Sequence, residues 1–110
     1  ASLAPGAYFY VAGWAGTVCN TALTLNVFNC FGIRRSVNTI TYFLNGVEKN
    51  NFTLAGTGTE SLGNFQIGAW QEVSIINEQA GIYGEVVKIN KVLAASEFMN
   101  YYLATKWGYQ

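Results

Sequence analysis

The sequence predicts a mainly β, antiparallel chain closed by one short C-terminal α-helix, and three stretches carry that prediction. Ile40-Thr41-Tyr42-Phe43-Leu44-Asn45-Gly46-Val47 is an aromatic and β-branched run ending in Asn-Gly, the dipeptide that tolerates the positive φ of a type I′ hairpin turn. Ala22-Leu23-Thr24-Leu25-Asn26-Val27-Phe28 alternates apolar and polar residues, the period of a half-buried strand. Phe98, Met99, Tyr102, Leu103 and Trp107 recur at spacings of 3 and 4, the apolar stripe of an amphipathic helix.

Taken in order, residues 1–6 read as an arm with a Pro5-Gly6 turn. Ala7–Ala12 is aromatic and β-branched, a strand, and Gly13-Trp14-Ala15-Gly16 breaks it. The alternating stretch Ala22–Phe28 follows as a strand, Asn29-Cys30 turns, Phe31–Arg34 pairs back, and Arg35–Asn38 is a loop. Thr39–Leu44 and Val47–Leu54 form the Asn45-Gly46 hairpin. Its first strand sets Ile40, Tyr42 and Leu44 opposite Thr41 and Phe43, so at least one of its faces is buried. Residues 55–61 are a loop of small polar residues. They lack the helix, Lys and Ser/Thr offsets by which a glycine-rich loop holds phosphate. Asn51-Phe52-Thr53 matches a glycosylation acceptor pattern. Phe65–Ala69 and Glu72–Ile76 are further strands with Trp70 at the corner between them. Asn77–Gly81 turns, and Ile82–Asn90 reads as a long central strand on the strength of Val86, Val87 and Ile89. The helix lies within residues 94–108, over about Ala95–Trp107, with Lys106 in its last turn and Gly108 just past it. No internal repeat or linker interrupts the chain, so residues 1–110 form one domain.

Composition excludes more than it assigns. Charged residues make up 11% of the 110, well under the roughly 25% usual for a soluble domain, while 51% are hydrophobic and 15% aromatic. The net charge is zero, which leaves no electrostatic footprint for nucleic acid. Arg34-Arg35, the only adjacent basic pair, reads as a solvated strand end. No apolar run approaches the ~20 residues of a membrane span. Ala1-Ser2-Leu3 lacks the charged region and long apolar run of a signal peptide. A chain beginning at Ala is equally a product of Met removal or a fragment of something longer. There is no His and no Asp; the six acids are all Glu, at 48, 60, 72, 78, 85 and 97. That removes the commonest general base and transition-metal ligand, together with the short carboxylate that suits calcium cages. Neither a metal nor a cofactor is expected. Glu72, Glu78 and Glu85 are the candidates for a glycosidase-type carboxylate pair, but solvated strand-end acids is the simpler reading. No catalytic residue is assigned, and the chain is expected not to be an enzyme. Cys19 and Cys30 are the only cysteines. A disulfide worth about 2–4 kcal/mol and two buried thiols are equally open.

The order of elements resembles the C-terminal half of a laminin-G-like (concanavalin A-like) jelly roll. The resemblance rests on the aromatic strand ending Asn45-Gly46, on Asn64-Phe65-Gln66-Ile67-Gly68-Ala69 and on Gly84-Glu85-Val86-Val87-Lys88-Ile89-Asn90. It ends on Leu93-Ala94-Ala95-Ser96-Glu97-Phe98, which opens the helix, and covers roughly residues 38–108. The closing Tyr101-Tyr102-Leu103-Ala104-Thr105-Lys106-Trp107-Gly108 looks like copies in phage and environmental bacterial proteins. What the resemblance implies is an antiparallel jelly-roll-like β-sandwich, of a family serving as lectins, adhesion modules and virion surface domains. The chain departs from it in three respects. Ala94 stands where the family caps the helix with Ser or Asp, so capping falls to Ser96 or is absent. The absence of Asp argues against the calcium-dependent sugar binding found in parts of the family. A complete jelly roll is also longer, so several N-terminal strands are missing or compressed into residues 7–34.

A shortened sandwich exposes sheet edges and apolar faces that proteins pair, cover or charge. With so few charges, covering by other protein subunits is the expected solution. The expectation is therefore a non-enzymatic, oligomeric assembly subunit of a virion surface, as a capsid decoration or fibre-associated component. The alternative is a carbohydrate-binding, lectin-like module of a secreted or cell-surface protein. Its shallow stacking site would be Trp14 or Trp70 beside Asn64, Gln66 and Gln71. For Trp14, a core or rim position is the other fate open to it. Neither reading involves nucleic acid or membrane insertion.

Overall fold

The computed structural model describes residues 4–10, 14–55, 70–71, 75–76 and 85–108. They are mainly β: β1 (Gly6–Tyr10), β2 (Trp14–Val18), β3 (Phe31–Ser36), β4 (Thr39–Leu44), β5 (Val47–Thr53), β6 (Trp70–Gln71) and β7 (Ile75–Ile76), followed by α1 (Ala95–Gly108). The chain divides into two units, Ala1–Thr59 with Asn90–Gln110, and Glu60–Ile89.

The first unit is built on a three-stranded antiparallel sheet in the order β3-β4-β5. Asn45 and Gly46 turn β4 into β5 with φ of 51° and 80°, the left-handed pair that Asn-Gly supplies at least cost. Asn45 also fixes the turn to the start of β3. Its backbone N–H donates to the Cys30 carbonyl at 2.7 Å, and its side-chain oxygen accepts from the Cys30 N–H at 2.8 Å. Every residue from Ile40 to Leu44 is buried, so β4 is covered on both faces. On one face Ile40 and Tyr42 form the core with Cys19 and Leu54, flanked by Phe31 and Phe52. Phe31 stacks on Tyr42 with centroids 5.5 Å apart, and Phe52 meets Tyr42 edge-on at 6.3 Å. Burying each such side chain stabilises the fold by roughly 1.5–3 kcal/mol.

The other face carries the helix. Phe43 stacks on Phe98 with centroids 3.9 Å apart and planes 1° from parallel. Gly32 pairs with Phe43 across the ladder, and a Cβ there would lie 2.7 Å from Phe98 Cδ1. Glycine at this position is what lets the helix approach. Phe98, Met99 and Tyr102 are half-buried as the stripe requires, whereas Leu103 is 47% exposed. The missing cap is supplied in an unexpected way. The Glu97 carboxylate reaches back to the Ala94 N–H at 3.1 Å, while the Glu97 N–H donates to the Ala94 carbonyl at 3.0 Å. This is the acidic half of a capping box without the hydroxyl half, and Ser96 is not the cap.

Three expectations for the first unit are corrected. Trp14-Ala15-Gly16 does not break the chain but begins β2, which pairs with β1 in register from Gly6↔Val18 to Tyr10↔Trp14. Ala22–Phe28 is an exposed loop, not a strand. The Asn29 amide accepts from the Thr24 N–H at 3.4 Å and donates to the Thr24 and Val27 carbonyls at 2.9 and 3.2 Å. Asn26 at φ 62° closes the bend. A side chain that occupies these backbone groups leaves little for a ladder. Phe31 onward therefore pairs with β4, and Arg35 and Ser36 belong to β3 rather than to a loop. The turn between them is Val37-Asn38, with Val37 at φ 56° and 70% exposed.

In the second unit, Trp70 and Gln71 pair with Ile76 and Ile75, so Trp70 stands in a strand instead of at a corner. Residues 85–89 are exposed and in no strand, against the expected central strand through Ile82–Asn90. Val86, Val87 and Ile89 have strand propensity, but a strand is held by a ladder and not by propensity alone. The expected strand Phe65–Ala69 and the turn at Asn77–Gly81 lie outside the described residues, as does most of the loop over 55–61.

Two substitutions test this architecture. Gly32→Ala forces the Phe98 ring off Phe43, and we expect a loss of about 1–3 kcal/mol, read as a Tm lower by several degrees. Val37→Gly relieves a β-branched residue in the left-handed region. It should raise stability by about 1 kcal/mol, the left-handed penalty less the extra unfolded-state freedom of glycine, in a urea titration with unchanged slope.

Candidate functional site

The candidate sugar-binding residues do not form one described site. Trp14 opens β2 opposite Tyr10 in the first unit, while Trp70 and Gln71 form β6 in the second. Asn64 and Gln66 lie outside the described residues. Cys19 and Cys30 are not joined by a disulfide. Cys19 is 2% exposed, within the core beside Ile40, Tyr42 and Leu54. Cys30 stands half-buried before β3, at the far end of β4 against the Asn45 turn. The surroundings of Cys19 are apolar, where a thiol is inert.

The described acids have structural or solvent-facing places. Glu97 caps α1, and Glu85 is exposed in the stretch before the helix. Glu48 lies 3.9 Å from Arg34, their side chains 49% and 23% exposed. Such a half-exposed ion pair adds little. Glu60, Glu72 and Glu78 lie outside the described residues. Among the described residues no group of three or more His, Cys, Asp or Glu is placed to hold a metal, and no helix is long and apolar enough to cross a membrane.

What the structure does bring together is a set of polar clamps that link segments far apart in sequence. Arg34 donates to the Leu93 carbonyl at 3.2 Å and lies 5.2 Å over the Phe43 ring, tying the chain ahead of α1 to the sheet face. Arg34 is therefore not the solvated strand end its sequence context suggests. The ladder skips one residue between Thr41↔Asn51 and Phe43↔Glu48, so Lys49 and Asn50 together face Tyr42 as a β-bulge. The bulge aims Asn50 at the end of β2. The Asn50 amide donates to the Val18 carbonyl at 3.0 Å and accepts from the Asn20 N–H at 2.9 Å. Inside the core the Thr17 and Tyr42 hydroxyls bond to each other, joining the β1–β2 hairpin to the sheet. None of these roles is legible from a motif. Only the Asn45-Gly46 dipeptide carried a sequence signal for its clamp.

These arrangements position backbone and bury aromatic rings; they do not assemble a nucleophile, a base and an orienting group. The N-glycosylation pattern is exposed at both ends, Asn51 and Thr53 facing outward from β5 while Phe52 packs against the core.

No family model matches the chain, and no curated protein does so. Among solved structures it is similar to residues 221–444 of an S-layer domain-containing protein from Clostridium thermocellum, with a TM-score of 0.53 and 17% sequence identity. The likeness covers 82% of this chain and 46% of the other, so the chain spans less than half the length of that neighbour. At this identity the likeness is one of fold.

Proposed function

We propose that this chain is a non-enzymatic assembly module displayed on an extracellular surface, with a lectin-like, jelly-roll-type sandwich as its scaffold. The observation that carries the reading is that large apolar side chains stand exposed on a charge-poor domain: Leu25, Val27 and Val37 are 65%, 59% and 70% exposed. Exposed apolar residues that gather into patches mark contact surfaces, and a protein with few charges does little to repel neighbours. The sandwich reading is supported by β4, buried on both faces, and by the order of Asn-Gly hairpin and C-terminal helix. The name of the structural neighbour, an S-layer domain-containing protein, favours a cell envelope over the virion surface as the place of display. Light scattering at rising concentration tests the assembly. The mass should climb above that of one chain before ~1 mM, where a contact of about 4 kcal/mol becomes half-filled. A chain that stays monomeric throughout refutes it.

A second reading, a carbohydrate-binding module of a secreted or cell-surface protein, is favoured by the placing of Trp14 across from Tyr10 as the last pair of the β1–β2 ladder. Two aromatic residues at the end of a hairpin are a means of stacking on a sugar ring. Trp14→Ala should then abolish retention on a glycan column without shifting the Tm. An unchanged elution, or a glycan array without hits for the parent chain, removes this reading.

A further inference from the structure

We propose that the helix-side face of the β3-β4-β5 sheet, beyond the part that Phe98 covers, binds a neutral sugar through Thr41 and Asn51. The proposal rests on the carbohydrate-binding reading above and gives it a contact surface other than Trp14. Alternation along each strand, together with the ladder register, decides which residues share this face. Gly32, Phe43 and Glu48 form the row next to the helix, with Phe43 under the ring of Phe98. Arg34, Thr41 and Asn51 form the next row, and Ser36, Thr39 and Thr53 the last. Phe43 is thus the last apolar side chain on this face. Neighbours within a row stand about 4.7–4.9 Å apart and successive rows about 7 Å. The two outer rows make a small lattice of hydroxyl and amide groups bordered by one guanidinium.

The centre of the lattice is what points to a ligand. Thr41 is 4% exposed, yet among the described residues its hydroxyl has no hydrogen-bond partner. A buried hydroxyl left unpaired is costly and uncommon. Its surroundings are open: Ser36, Asn51 and Thr53 are exposed, and the side chains of Asn51 and Thr53 also lack a partner among the described residues. A ligand entering over the outer strand β5 meets Thr53 and Asn51 first and the Thr41 hydroxyl beneath them. The class of ligand follows from these groups. Hydroxyls and an amide each donate and accept, as do the adjacent hydroxyls of a sugar ring. The guanidinium of the row is already engaged, Arg34 meeting the Leu93 carbonyl at 3.2 Å and Glu48 at 3.9 Å, so the groups left to bind with are neutral. A peptide would instead take a sheet edge, where backbone groups are open. A further layer of the fold needs apolar side chains on both faces it joins, which the two outer rows do not supply.

The test titrates the full, isotope-labelled chain with cellohexaose, maltohexaose and xylohexaose in turn, up to ~1 mM, the weak limit of a useful contact. Backbone amide signals of Thr41, Asn51 and Thr53 are expected to shift with one of them. Asn51→Ala and Thr41→Val should each weaken that binding about tenfold, the size of one lost hydrogen bond. Thr41→Val keeps the shape of the side chain and removes the hydroxyl. Without sugar its Tm should therefore equal or exceed that of the parent, whereas a hydroxyl bonded within the fold would give a fall. Binding as strong in both variants as in the parent, or a lower Tm for Thr41→Val, overturns the proposal. Binding that only Trp14→Ala removes overturns it too and leaves the carbohydrate reading standing at that residue. A parent chain that shifts with none of the three sugars and binds nothing on a glycan array overturns both. The same shifts from tetraglycine, and from no sugar, would assign the face to a peptide and overturn it as well.

Discussion

The stack of Phe43 on Phe98 is the contact on which the first unit depends, because it gives the sheet a second covered face. A helix of 14 residues has little stability of its own in water, and this one lacks a hydroxyl at its N-cap. Its position is set by tertiary contacts: Phe98 on Phe43, Met99 against Gly46, and Arg34 on the Leu93 carbonyl. The two glycines on the sheet side stand where a side chain would collide with the helix. The sheet and the helix are thus specified jointly, and neither surface would remain apolar and small without the other.

Local signals were legible where local chemistry decides the outcome. The Asn45-Gly46 turn and the helix over Ala95–Gly108 fall where the sequence puts them, since a left-handed dipeptide and a stripe of spacing 3 and 4 are short-range properties. Ala22–Phe28 was misread because alternation describes a strand only if a ladder partner exists. Asn29 takes up the backbone groups of Thr24 and Val27 that a ladder would use. β2 was misread in the opposite sense. Gly16 weakens strand propensity, yet the register from Gly6↔Val18 to Tyr10↔Trp14 accommodates it opposite Tyr8. Pairing is a property of two segments, and a scan along one of them does not contain it.

The candidate site was less legible than the fold. Trp14 and Trp70 drew attention as isolated aromatics, but residues grouped by type alone fall into different units of the chain. The groups that hold the architecture were invisible for a different reason. Asn50 matters because a bulge opposite Tyr42 turns it toward Val18 and Asn20, and the bulge exists only once β4 and β5 are paired. Arg34 gave a misleading signal: its neighbour Arg35 suggested a solvated basic end, while the ring of Phe43 beneath it and the Leu93 carbonyl beyond it place it between sheet and helix.

The same clamps explain how so few charges suffice. A carboxylate or an ammonium satisfies a buried or half-buried backbone group by one kind of bond and brings a desolvation cost with it. An asparagine amide donates and accepts at once without charge. Asn45 and Asn50 each use side-chain groups to hold backbone of another segment, Asn29 holds the backbone of its own loop, and Asn38 donates to the Leu54 carbonyl at 3.4 Å. Connections between segments are therefore made largely by neutral groups, and charge is not needed to finish the fold. Charge normally has a second duty, to keep apolar surfaces of different molecules apart. A chain that satisfies its backbone with amides gives up that protection. The economy that closes the fold is thus also the one that leaves only 11% of the residues charged.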